Sequence, residues 1–111
     1  MRLLVVIVHR EDVLDDVLSA LVEVEAPDAV VLESRSGLEL LERDLPIFAG
    51  LRSLVPSGID FSAVVLCSIA DDRHAEEALS AICGLDSERT PNAAELRNTA
   101  LLLPVSNLEQ F

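Results

Sequence analysis

The chain nearly repeats itself at an offset of 61 residues, and that repeat constrains its fold more than any other feature. Leu3-Leu4-Val5-Val6-Ile7-Val8 maps onto Val64-Val65-Leu66-Cys67-Ser68-Ile69, and residues 15–21 map onto 76–82. Each copy sets an aliphatic, β-branched run ahead of a stretch with the 3.6-residue apolar period of a helix. A second apolar run follows each, at 28–33 and 99–105. The pattern predicts βαβ followed by βαβ. Two copies are too few to stack as a solenoid, so they are expected to close on one another with pseudo-twofold symmetry.

The fold class that follows is α+β: a ferredoxin-like βαββαβ sandwich, an antiparallel sheet with two helices on one face, spanning residues 1–111 as a single domain. In detail, 3–8 is the first strand, ended by His9-Arg10. Glu11 or Asp12 opens a helix with Val13, Val17, Leu18, Leu21 and Val24 on its apolar face and acids in its first turn, where the macrodipole favours them. Pro27-Asp28 ends it before a second strand at 29–33, and 61–69 is the third. Asp71 or Asp72 caps a second helix with Ala75, Ala78, Leu79 and Ile82 inward, and Gly84 is expected as a left-handed stop. The last strand centres on Leu101-Leu102-Leu103 and closes at Pro104.

Charge and composition exclude several classes. A net charge of -12 with only eight cations, all arginine, argues against nucleic acid, whose phosphates need clustered positive charge. The longest aliphatic run, 3–8, is far short of the roughly 20 residues of a membrane span. No signal peptide precedes the first strand, so a cytoplasmic location and no membrane insertion are expected. Cys67 and Cys83 lack CxxC spacing and are read as buried thiols.

Strands one, three and four are apolar on both faces, although two helices can cover only one. A face that apolar would aggregate if left open. Other copies of the same sheet are the simplest cover, which predicts a homo-oligomer with sheets inward and acidic helices outward. A second unusual segment, 34–60, joins strands two and three. It holds the apolar stretch 45–51, unlike a disordered linker, so it reads either as a structural arm or as a loop that responds to a partner or ligand.

The aliphatic opening strand, Glu33-Ser34-Arg35-Ser36-Gly37 before the long loop, and a closing strand ending Pro104-Val105 together resemble the nitrogen regulatory PII signal-transduction superfamily. Pro46-Ile47-Phe48-Ala49-Gly50-Leu51-Arg52 resembles a segment of uncharacterised PII-like proteins. The resemblance implies a non-enzymatic homotrimer with small-effector sites in clefts between subunits. It also implies a loop after strand two, 37–58, that is presented to a protein target; Arg43, Pro46, Phe48 and Arg52 are the candidate contact residues on it, with Arg43 and Arg52 reading equally as loop salt bridges. The segment that would correspond to the family's glycine- and lysine-rich phosphate loop reads Asp86-Ser87-Glu88-Arg89-Thr90-Pro91-Asn92. With no glycine and two acids there, the family's mode of ATP binding is not expected, and the effector or cofactor is left unknown. The absence of tyrosine removes tyrosine modification as a loop switch.

For an anionic effector the candidates are Arg35, Ser36 and Gly37, and the resemblance implies Arg89, Thr90 and Asn92 as the matching wall, since their segment corresponds in order to the family's phosphate loop. Arginine offers a bidentate fork and glycine a close backbone approach. The plain alternative is a turn with a surface ion pair. No catalytic residues and no metal ligands are assigned: His9 and His74 have no serine, cysteine or paired carboxylates at a recognisable spacing. Two other readings stand beside the PII-like one. The first is a metal- or metabolite-binding oligomeric module related to divalent-cation tolerance proteins, in which His9, Cys67, Asp71, Asp72 and His74 are the ligand types to weigh. The second is a small ferredoxin-like enzyme.

Overall fold

Aliphatic residues occupy both faces of the first strand, β1 (Arg2–Val8), but they meet different fates. Leu4, Val6 and Val8 are buried, whereas Leu3, Val5 and Ile7 remain partly exposed. The computed structural model, which describes residues 1–35, 37, 61–85 and 97–111, continues with α1 (Glu11–Glu23), β2 (Ala29–Glu33), β3 (Ala63–Ile69), α2 (Asp72–Gly84) and β4 (Thr99–Pro104). The four strands form one antiparallel sheet in the order β2-β3-β1-β4. This α+β arrangement of four antiparallel strands and two helices is consistent with a ferredoxin-like fold.

The register carries the sequence repeat. Leu4 pairs with Cys67, and moving each by 61 positions towards the other strand gives Val65 paired with Val6, which is also a pair of the same ladder. The repeat is therefore a twofold relation in space between the two central strands. One core lies between the helices and one sheet face. Leu4, Val6, Val8, Ala63, Val65, Cys67 and Ile69 come from the strands. Val13, Val17 and Leu21 of α1, with Ala75, Ala78 and Ile82 of α2, close over them. A fully buried Leu or Val contributes about 1.5–3 kcal/mol, so this face supplies most of the hydrophobic stabilisation.

Neither described helix packs on the opposite face. It holds Val30 and Leu32 of β2, Val64 and Leu66 of β3, Leu3, Val5 and Ile7 of β1, and Leu101 and Leu103 of β4. Val30 is 58% exposed, Leu32 48% and Leu103 43%. The apolar second face expected from the strand composition is thus present, exposed at its edge strands and partly exposed at Leu3, Val5, Ile7, Val64, Leu66 and Leu101.

The helix ends differ from expectation in two places. The chain leaves α1 before Pro27: Glu25 takes a left-handed φ of 60°, its N–H donates to the Val22 carbonyl and the Ala26 N–H to the Leu21 carbonyl. That is a Schellman closure, and the accompanying apolar contact brings buried Ala26 to Leu21. Gly84 is not a left-handed stop. It is the last helical residue of α2, and Leu85 beyond it is still right-handed at φ -66°, ψ -28°. At the other end of α2 the Asp71 carboxylate accepts from the Arg73 N–H at 3.0 Å, the expected cap.

Candidate functional site at one end of the sheet

Strand register gathers the polar candidates at the end of the sheet where Val8, Ala63 and Glu33 lie in one row across β1, β3 and β2. The residues just beyond that row are His9 after β1, Ser34 and Arg35 after β2, and Ser62 before β3. Asn98 stands at the same end, before β4. β-Strands end here because the apolar runs give way to polar and turn-forming residues that satisfy backbone groups locally.

Two polar contacts fasten this end. The His9 N–H donates to Asn98 Oδ1 at 2.9 Å. The Ser34 N–H donates to the Ser62 carbonyl at 3.1 Å, and the two serine hydroxyls share a hydrogen bond of 2.7 Å. The chain therefore leaves β2 and re-enters β3 at adjacent points. Arg35 follows the serine clamp directly and is exposed, as is Gly37. A Cβ added at Gly37 would meet nothing within 4 Å, so crowding does not require glycine there. Ser36, Arg43, Pro46, Phe48, Arg52, Arg89, Thr90 and Asn92 lie outside the described residues.

Behind this rim, between the helices and β1–β4, lies a cavity of about 180 Å³. Val6, Val8, Val13, Val17 and Ile82 form its apolar wall, and Asn98 and Thr99 provide polar groups. The His9 Nδ1 atom is buried and has no hydrogen-bond partner among the described residues, and burial lowers the His9 pKa from its ordinary 6.5. The imidazole is thus held neutral near pH 7. Asn98 and Ser62 were not singled out by sequence reasoning. The only signal was position, a small polar residue next to the start of an apolar strand.

The opposite end of the molecule collects charge. Asp72 receives the Met1 ammonium at 3.5 Å and Arg2 Nε at 3.2 Å, and Arg73 pairs with Glu77 at 3.5 Å. His74 Nε2 hydrogen-bonds the Val24 carbonyl, joining the start of α2 to the end of α1. The five ligand types weighed for a metal are consequently dispersed: His9 is at one end, Asp71, Asp72 and His74 at the other, and Cys67 is in the core. Among the described residues no three His, Cys, Asp or Glu side chains gather as a metal site. Cys67 donates to the Ala26 carbonyl at 3.7 Å, and burial, then the nearby Asp28 charge, raises its pKa. Cys83 is exposed rather than buried: it lies at the flank of the inner stripe in the last turn of α2, at the rim of the cavity. No described helix is long and apolar enough to cross a membrane.

Compared with models of protein families and with curated proteins, the sequence finds no match.

Proposed function

We infer that this protein is a PII-like homotrimeric regulatory protein, which takes a small effector in clefts between subunits and presents residues 37–58 to a protein target. The observation that carries this reading is the apolar sheet face, exposed at both edge strands and over which no described helix packs. Val30, Leu32 and Leu103 are between 43% and 58% exposed on a four-stranded sheet whose other face is closed by helices. A chain of net charge -12 with such a face is suited to self-association, sheets inward and acids outward. The serine clamp adds support, since it anchors the long connection beside exposed Arg35, the guanidinium available to an anionic effector.

Two measurements test the reading together. Light scattering coupled to size exclusion gives the mass, with three copies expected. A thermal-shift screen against adenine and guanine nucleotides, cyclic dinucleotides, 2-oxoglutarate, bicarbonate and divalent metals then seeks the effector. A ligand at about 100 times its dissociation constant adds roughly 2.7 kcal/mol, several degrees in the midpoint. A shift that Arg35→Ala abolishes supports an anionic effector at the end of β2. A monomer at all concentrations overturns the reading, and shifts from metals alone transfer it to the metal-binding alternative.

A further inference from the structure

The two helices repeat each other to the residue. α1 runs from Glu11 to Glu23 and α2 from Asp72 to Gly84, so both ends of each obey the offset of 61. Val13 and His74 are therefore counterparts, each the third residue of its helix, and so are Val24 and Leu85, the cap residues that follow the two helices. The strands beneath match as well: Ala29 pairs with Cys67, and Ala100 pairs with Val6, the counterpart of Cys67.

The two halves treat one contact differently. In one of them His74 reaches from the first turn of α2 to the end of α1 and donates to the Val24 carbonyl. The space beyond that contact is an open groove edged by Glu23, Glu25, Asp71 and Glu77. In the other half Val13 stands in the place of His74, and a valine ends at its γ carbons and donates nothing. Val13 and Leu85 both line the cavity of about 180 Å³ between the helices, β1 and β4. The cavity thus lies at the twofold equivalent of a place filled by an imidazole ring and its hydrogen bond.

We propose that this cavity binds one neutral ring compound, apolar in body and carrying a single hydrogen-bond donor, in the position that the His74 imidazole takes in the other half. Size agrees. An apolar cavity of about 150 Å³ holds benzene, so one of about 180 Å³ accepts a ring with a small polar substituent.

The lining agrees too. Val6, Val8, Val17 and Ile82 are buried aliphatic walls that offer dispersion contacts to a ring. Among the described residues no charged side chain lines the cavity, so an ionised ligand would lose its hydration without compensation. The donor has a matching acceptor. Carbonyls in the last turn of a helix have no intrahelical partner, and α2 ends against the cavity at Leu85, as α1 ends against His74 at Val24. The site lies within one chain, so it is separate from effector clefts between subunits and does not depend on assembly.

The test is an amide NMR titration of the full chain with phenol and with benzene. Phenol is expected to shift the Val13, Val17, Ile82 and Ala100 amides saturably, and benzene, which lacks the donor, to bind about fivefold more weakly. Val13→His returns an imidazole to the second half and is expected to abolish phenol binding while far-UV circular dichroism is unchanged. Ala100→Leu, which fills the cavity from β4, is the second variant should Val13→His fail to fold. No saturable shift in the parent overturns the proposal, because the space is then taken by the chain itself. Phenol binding that survives in a folded variant puts the phenol elsewhere and overturns it equally. Benzene bound as tightly as phenol overturns the donor contact, and with it the ligand class.

Discussion

The backbone N–H of His9 and the side-chain oxygen of Asn98 lie 2.9 Å apart, joining residues 89 positions distant in the sequence. The bond closes the end of β1 against the start of β4, and it satisfies a partly buried backbone donor that the ladder itself no longer reaches. Removing the acceptor leaves that donor unpaired. Asn98→Ala is expected to lower stability by about 1–2 kcal/mol in urea unfolding, whereas Asn98→Asp, which keeps an acceptor oxygen, loses less. Equal losses for both would show that the amide nitrogen rather than the oxygen matters.

At Glu25, a left-handed φ of 60° is imposed on a residue with a Cβ. Glycine relieves that strain but adds freedom to the unfolded chain. Glu25→Gly is expected to be neutral or stabilising by up to about 1 kcal/mol, and Glu25→Val to be destabilising by about 1–2 kcal/mol, because a β-branched residue tolerates this region least. Thermal midpoints of the three proteins decide the order.

Two groups set opposite pH slopes. His9 has a folded pKa below 6.5, so its contribution is complete above that pH and is lost as pH falls through the folded value, where the unfolded chain binds the extra proton first. Cys67 has a folded pKa above 9.0, so its contribution is complete below that pH and is lost as pH rises through the folded value. His9→Asn should remove the contribution of His9 to the acid-side slope and Cys67→Ala that of Cys67 to the alkaline one. Native thiol labelling gives an independent check: exposed Cys83 reacts at once, and buried Cys67 only on unfolding.

The two sheet faces predict unequal losses. Leu4 is fully buried, and Leu4→Ala is expected to cost about 3 kcal/mol. Leu32, 48% exposed, should lose about 0.5 kcal/mol or less as Leu32→Ala in dilute solution. A penalty at Leu32 that grows with protein concentration reports a face covered by assembly.

Much of the architecture was legible because its cause is periodic. The 61-residue offset located both central strands and both helices, and burial follows it: Leu4 with Val65, Val6 with Cys67, Val17 with Ala78 and Leu21 with Ile82 are all buried. The helix ends were less legible. Gly84 permits a left-handed turn without demanding one, while Glu25 adopts one because the Ala26–Leu21 closure and the burial of Ala26 hold it there. For the candidate site, Arg35 stands exposed at the end of β2 as read from its position. The Asn98 contact was invisible, because nothing local in Arg97-Asn98-Thr99 indicates which strand end will lie opposite.

The meeting of Ser34 and Ser62 makes the intervening chain a cassette. Its two ends are joined by hydrogen bonds that belong to the sheet, so the ladder of β2 and β3 is closed before the cassette contributes anything. Doubling the length of a flexible connection adds only about 0.6 kcal/mol of closure cost. Apart from Phe61, which packs against the core, a change of length between the serines therefore costs the β2–β3 register little, and a new specificity can be acquired there without the sheet having to be redesigned.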